Sequence, residues 1–316
     1  MPVLGERPRW EDFSSAEVAV AASRRRFTAG LVAGLVNVCS NPSCASGWLR
    51  LWRGRQGPVF ESGWLCGPQC ARARVREAVL RELAGRSQPS AIHRHRVPLG
   101  LLLLSQGAIT RPQLRAALAR QKISGGRLGM WLEREHGIAE RVITRALGTQ
   151  WGCPVLTLEN HSPEKAARLA PRLLVDALGF LPLRRAGSAL LYVGFEDRID
   201  HCVNFAIERM TGLRVAAGLV DGHAYAAAHR RLLGAAFPPA RMIEAAGVDA
   251  LVAAFTRILE EAKPVEARLV RMRDYFWLRM WKHRDELPGS ALAGTLPGSL
   301  DGSFEDVLGA LGDTRV

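Results

Sequence analysis

The stretch PLGLLLLSQGAITRPQLRAALARQ, Pro98–Gln121, can be laid without a gap on RLGMWLEREHGIAERVITRALGTQ, Arg127–Gln150. Each copy is 24 residues long, and the spacer KISGG adds five. The identical pairs are Leu99/Leu128, Gly100/Gly129, Leu103/Leu132, Ile109/Ile138, Ala117/Ala146, Leu118/Leu147 and Gln121/Gln150. Each copy reads as a short helix, a turn at Gly107 or Gly137, and a second helix starting near Thr110 or Glu140. Leu114, Ala117 and Leu118 fall at helical spacing, as do Ile143, Ala146 and Leu147, so each copy has one apolar face. Two such units bury those faces against each other.

Beyond Trp151 the periodicity changes. Pro154–Leu158 alternates like a strand, Pro163–Leu169 reads as a short helix, and Phe180–Arg184 as a second strand. Ala186-Gly187-Ser188 supplies a hairpin turn into Ala189–Val193. A helix over Asp200–Met210, a stop at Gly212 and a strand over Leu213–Val220 complete a small α/β layer. Val248–Ala262 and Pro264–Trp281 read as amphipathic helices. The Pro/Gly/Ser-rich remainder reads as a mobile tail with a short helix at Phe304–Leu311.

Upstream, residues 1–30 read as an N-terminal helix, with Ser14 or Ser15 as N-cap and Arg24–Arg26 near its end. Residues 31–87 hold four of the six cysteines, and Ser87–Ser90 reads as a linker. Cys39 and Cys44 form one close pair, and Cys66 and Cys70 another. Zinc prefers four tetrahedral thiolate or imidazole ligands, and paired cysteines on either side of a hairpin-length insert deliver them. Pro42 and Gly67-Pro68 favour tight knuckles, and Ala71–Leu83 reads as a helix starting at the second pair. This knuckle, hairpin and helix start resembles a treble-clef zinc finger. With four cysteines the site is closed, hence structural. His93 and His95 are alternative ligands beyond the linker, and Cys153 and Cys202 read as core thiols.

The chain of 316 residues carries a formal charge of +13. Residues 1–96 hold 15 basic and 7 acidic side chains, residues 97–235 hold 18 and 11, and the rest 10 and 12. The basic front attracts an anion, whether nucleotide, nucleic acid or lipid headgroup. Arg50, Arg53 and Arg55, interleaved with Trp48 and Trp52, suit a phosphate backbone with stacked bases, or a hairpin whose tryptophans cover a small core. The longest apolar runs, Leu99–Leu104 and Leu31–Val38, fall far short of the ~20 residues that span a bilayer. With no secretory signal pattern either, the expected location is cytoplasmic. A P-loop needs Gly-Lys-Ser/Thr, yet the only lysines, Lys122, Lys165, Lys263 and Lys282, follow Gln, Glu, Ala and Trp. Catalytic signatures of the H-E-x-x-H or G-x-S-x-G type are also lacking, so the expectation is a non-enzyme.

The duplicated motif resembles the N-terminal domain of type II secretion and type IV pilus assembly ATPases, the GspE/PilB group. It is most similar to the MshEN subset, which binds cyclic di-GMP. That pattern is two 24-residue copies of R-L-G-x-x-L-x-x-x-G-x-I-x4-L-x2-A-L-x2-Q joined by five residues. The resemblance covers residues 97–235, including Phe180-Leu-Pro-Leu-Arg184, Leu190–Val193 and Met210–Val215. It implies a nucleotide site of Leu99, Gly100, Leu103, Gly107 and Gln121 from the first copy. The second offers Arg127, Leu128, Gly129, Leu132 and Gln150. Pro98 stands where the first copy has arginine in the family, and His136 where the second has glycine, with Gly137 displaced by one.

The sequence therefore predicts an α+β chain: a treble-clef-like finger, a tandem helical repeat with a small α/β layer (97–235), a helical extension (240–284) and a flexible tail (285–316). Zn2+ and cyclic di-GMP are the implied ligands. The implied role is a regulator or adaptor docking onto a protein partner of a secretion, pilus or signalling system. A zinc-finger nucleic-acid binder using the basic front is the alternative.

Overall fold

A computed structural model describes residues 38–44, 57–85, 96–284, 287 and 304–312. The expected N-terminal helix, the Trp/Arg insert at 45–56, the Ser87–Ser90 linker, His93, His95 and most of the tail lie outside the described residues. The finger contributes a two-stranded hairpin, β1 (Val59–Phe60) and β2 (Gly63–Trp64), then helix α1 (Pro68–Ala84). Pro68 sits in the first turn, where a missing N–H costs nothing.

The repeat folds as its periodicity predicts, into α2 (Leu99–Ser105), α3 (Arg111–Ser124), α4 (Leu128–His136) and α5 (Glu140–Trp151). Thr110 caps α3: its Oγ1 accepts from the Gln113 amide, and its own N–H donates 2.8 Å to Gln113 Oε1. Gly137, at φ 64, ends α4 in the left-handed region. Leu103, Ile109, Ala117, Leu132, Ile143 and Ala146 form the shared core. A Cβ on Gly100 would lie 2.6 Å from Leu114, and one on Gly129 would lie 2.9 Å from Ile143. The paired glycines therefore let the same two helices approach in each copy.

The layer behind the repeat holds β3 (Leu181–Ala186), β4 (Leu190–Phe195) and β5 (Arg214–Leu219), in the order β3-β4-β5, with β4 and β5 parallel. Helices α6 (Pro163–Ala167), α7 (Arg172–Leu178), α8 (His201–Thr211) and α9 (Gly222–Leu233) complete it. Asp200 caps α8 by accepting from the Cys202 and Val203 amides. Pro154–Leu158, expected as a strand, makes only one parallel bridge, Val155 to Leu219. Leu156 N–H donates 2.7 Å to Leu219 O there.

The C-terminal part departs most from expectation. After β6 (Ala240–Ala245), α10 (Val248–Ala262) is the helix that its apolar spacing predicts. Pro264–Trp281 is not a helix but the hairpin of β7 (Glu266–Met272) and β8 (Tyr275–Trp281). Phe304–Leu311 is likewise not a helix but strand β9, parallel to β6 and antiparallel to β8. The sheet order is β6-β9-β8-β7. Six of the seven β8 residues are buried, and a strand covered on both faces loses the alternation that marks strands. The turn is Arg273-Asp274, with Arg273 at φ 52, so the glycine that usually announces such a turn is missing.

This sheet joins the two ends of the chain. On one face Ala267, Leu269, Phe276, Leu278, Met280 and Val307 pack with α10 and with Phe60, Leu65, Val75 and Val79 of the finger. On the other, Val270, Met272, Trp277, Trp281 and Leu308 enter the core of the α/β layer. Arg279 donates from Nε and Nη2 to Asp306, both at 2.7 Å, and Trp277 Nε1 donates 2.7 Å to the same carboxylate. Glu61 in the β1–β2 turn accepts from Arg81 of α1 and Arg209 of α8. Burial raises the Glu61 pKa, but the two arginines outweigh it and hold it below the usual carboxylate value.

Candidate functional site

The first site is the finger. Sγ atoms of Cys39, Cys44, Cys66 and Cys70 all lie within 4.8 Å of one another. Cys44–Cys66 is 3.6 Å and Cys66–Cys70 is 3.3 Å. Four thiolates at Zn–S ~2.3 Å in a tetrahedron stand roughly 3.8 Å apart, so the cluster is close to the size that one such ion needs. The knuckle is set locally: Cys44 N–H donates 3.0 Å to Asn41 O, and Asn41 Nδ2 lies 3.3 Å from Cys70 Sγ. Burial pushes the Cys70 thiol up, and the neighbouring Cys44 and Cys39 push it further. A bound cation reverses that by favouring the thiolates. Cys70 at the start of α1 is buried in the core that α1 shares with α10.

On the helix carrying this site Arg72 is exposed, and the next two arginines are paired. Arg74 pairs with Glu77, and Arg76 pairs with Asp249 of α10. Its Ala71, Val75, Ala78 and Val79 are covered. Arg50, Arg53 and Arg55 lie outside the described residues.

The second site is a cleft of about 560 Å³ between the second repeat copy and the α/β layer. Of the ten residues implied by the resemblance, six line it: Leu99, Gln121, Arg127, Leu128, Gly129 and Gln150. The other four do not. Leu103 and Leu132 are fully buried in the repeat core, Gly100 packs against Leu114, and Gly107 is a turn residue at φ 68. The two glutamines act on backbone. Gln121 Nε2 donates 2.9 Å to Gly126 O, just before the second copy, and Gln150 Nε2 donates 2.8 Å to Val97 O, just before the first. Each copy's last residue thus closes the start of the other, which explains the repeated glutamine as a structural latch. Arg96 does not take the place of the arginine missing at Pro98. It lies over the Trp151 ring, 3.4 Å from its centre.

Arg127, at the N-cap of α4, reaches the loop after β4. It donates 2.8 Å to Glu196 Oε1 and also pairs with Asp197. Burial lowers the Arg127 pKa, but these two carboxylates outweigh that and raise it above the usual value. Across the cleft Glu140, the first residue of α5, receives the His223 N–H at 2.9 Å and its Nδ1 at 2.8 Å. The Glu140 bond first, then the charges of Glu140 and Glu133, hold the His223 pKa above its usual value. Glu133 falls at no fixed position of the motif, Glu196, Asp197 and His223 lie outside it, and Glu140 is marked in it only as a helix start. A signal was present: Glu196-Asp197 and Gly222-His223 follow the C-terminal ends of the parallel strands β4 and β5, where open α/β sheets place ligands.

The described residues thus combine a tandem helical repeat on a three-stranded layer with a four-cysteine cluster of the size that a metal site needs. The chain is similar to the type IV pilus assembly ATPase PilB of Myxococcus xanthus (strain DK1622), at 32% identity over 94 residues, 29% of this chain. It spans 17% of that relative's length. It is also similar to the structure of MshE with cdg: 25% identity, TM-score 0.37, 43% of this chain and 99% of that one. For the N-terminal domain of XpsE the values are 21%, 0.32, 46% and 98%. No protein-family model matches the chain. Among the described residues no helix is long and apolar enough to cross a membrane.

Proposed function

We propose that this chain is a non-catalytic regulatory or adaptor protein whose GspE/PilB N-terminal-like unit docks a partner of a secretion, pilus or signalling system. Its cleft is the ligand site, and cyclic di-GMP is the ligand that the sequence resemblance implies. The observation that carries this reading is the convergence of Leu99, Gln121, Arg127, Leu128, Gly129 and Gln150 on one cleft. Such a volume lies in the range of small-molecule sites, ~300–1,000 Å³. Leu128, Met130, Ile143 and Leu147 supply an apolar wall for a base, and Arg127 supplies the cation. The four cysteines hold a structural zinc, which fixes the finger on the C-terminal sheet and leaves no open coordination position for chemistry.

The absence of a Walker lysine in the sequence supports a regulatory role and argues against nucleotide hydrolysis. ATP turnover by a preparation free of contaminating ATPases would overturn that part. The ligand is tested by calorimetric titration of the zinc-loaded chain with cyclic di-GMP. Saturable binding is expected. Arg127→Ala should weaken it roughly ten- to a hundredfold, the loss of a charge-assisted bond worth about 1.5–3 kcal/mol. If neither wild type nor Pro98→Arg binds at high micromolar ligand, the unit serves docking alone.

A further inference from the structure

Two turn tips, one in the finger and one in the C-terminal sheet, grip opposite ends of the same helix, α8. Glu61, in the β1–β2 turn at φ 49, accepts from Arg209 in the last turn of α8. Arg209 also donates 3.2 Å from Nε to Leu269 O, and its own carbonyl accepts from Arg268 at 2.7 Å. Arg273, in the β7–β8 turn at φ 52, donates to Asp200 Oδ2 from Nε, at 3.0 Å, and from Nη2. The other oxygen of that carboxylate caps α8 through the Cys202 and Val203 amides. Neither tip is a glycine, and a side chain stays at positive φ only where its surroundings hold it there. The side chains of Glu61 and Asp200 are 11% and 13% exposed, so each carboxylate depends on its cation.

We infer that Arg273 is a positioning residue for the cleft, acting on Arg127 through Asp200 and the loop 196–199. This deepens the proposed function by naming what orients the cation of its cleft, and it rests on that reading for the ligand alone. Residues 196–199 are all that separates the end of β4 from Asp200. Within them Ile199 is buried in the core of the layer, while Glu196 and Asp197 receive Arg127. The loop is fixed at both ends. Before it, Phe195 O accepts from Val220 N–H at 2.8 Å; after it, Asp200 is held by Arg273. Glu61 and Arg209 pin the far end of α8, so the helix gives the loop a fixed start. Arg127 is 56% exposed in its side chain, and its direction therefore follows the two carboxylates that it meets. A group ordered only at the moment of binding costs affinity, which a held loop avoids. Arg273 belongs neither to the repeat nor to the cleft lining, and it reaches Arg127 only through this chain of contacts.

The first test needs no ligand. In the full zinc-loaded chain, the guanidinium N–H resonances of Arg127 are assigned by their loss in Arg127→Ala and should stand apart from those of free arginines. Arg273→Met should merge them with the free set. Asp200→Asn should do the same, because asparagine still caps α8 but offers Arg273 no charge. Arg273→Lys, which keeps the cation, should leave them partly resolved. Unchanged resonances in both Arg273→Met and Asp200→Asn would overturn the inference. The second test titrates cyclic di-GMP. Arg273→Met should weaken binding roughly threefold or more, as members of one contact network do, with no further loss in the Arg127→Ala background. Equal losses in the two backgrounds would show that Arg273 only stabilises the fold, and the inference fails. If wild type binds no cyclic di-GMP, the ligand reading of the cleft falls, and the Arg127 resonances alone decide this inference.

Discussion

Around the four cysteines, the groups that hold the structure together are out of water. Phe60, Leu65 and Val79 share one core with Leu251, Phe255 and Leu278, and Asp306 is gripped by Arg279 and Trp277 inside the same sheet. Around the repeat cleft the polar contacts are wet. Arg127 is 56% exposed in its side chain, and His223 is 77% exposed. Buried contacts are discrete and costly to break, whereas exposed ion pairs are worth little and exchange readily. The finger and sheet thus form a fixed frame, and the cleft is the part whose partners a ligand can replace.

The largest effect should come from the metal. Structural zinc contributes apparent energies of about 10–16 kcal/mol in finger peptides. The purified chain should carry about one zinc, and chelation should unfold the finger and loosen α10 and the sheet packed against it. Metal-free protein with an unchanged amide spectrum over residues 57–85 would break the comparison at its rigid end.

The buried pair is next. Arg279→Met leaves Asp306 without its cation and should cost about 3–5 kcal/mol in urea unfolding. Adding Asp306→Leu should recover part of that loss, because no charge is left unpaired, while the buried Trp277 indole N–H loses its acceptor. If the single change is neutral, the sheet is not the frame described here.

Within the repeat the contrast should appear at two neighbouring residues. Leu132→Ala removes a fully buried side chain and should cost about 2–5 kcal/mol. Arg127→Ala, five positions earlier, should cost under about 1 kcal/mol in stability because its ion pairs are exposed. Equal losses would show that the Arg127 contacts are structural and not a replaceable set.

The smallest effect concerns pH. His223 has a folded pKa above its ordinary value, set by Glu140 and then Glu133. Its contribution to closing the cleft is fully present below the unfolded histidine value of ~6.5. It fades as pH rises through the folded value. His223→Gln should flatten this dependence, as followed by the fluorescence of Trp131, which is on the cleft-forming helix α4.

How much was legible in the sequence follows the same division. The repeat could be read because both copies keep a helical period and a turn glycine, and because Leu103, Ile109 and Ala117 recur as Leu132, Ile138 and Ala146. The four cysteines could be read because metal ligands are marked by residue type and spacing. The C-terminal sheet could not. Its β7 and β8 are buried on both faces, its turn is an arginine, and β9 pairs in parallel with β6 from more than sixty residues away. Gly309 in β9 looks like a tail residue in sequence, yet α10 presses on it: a Cβ there would lie 2.5 Å from Leu251 and 2.8 Å from Phe255. In the cleft, the motif named Arg127 and the glutamines, but Glu196 and Asp197 belong to a loop that only the folded layer brings to them.

The most direct measurement of this account is amide hydrogen exchange across the whole chain, with and without saturating cyclic di-GMP. The account expects added protection at residues 126–133, 140–150, 196–197 and 222–226, and unchanged exchange in α1, α10 and strands β7 to β9. Protection confined to the finger or the sheet, or no change with cyclic di-GMP, would contradict it.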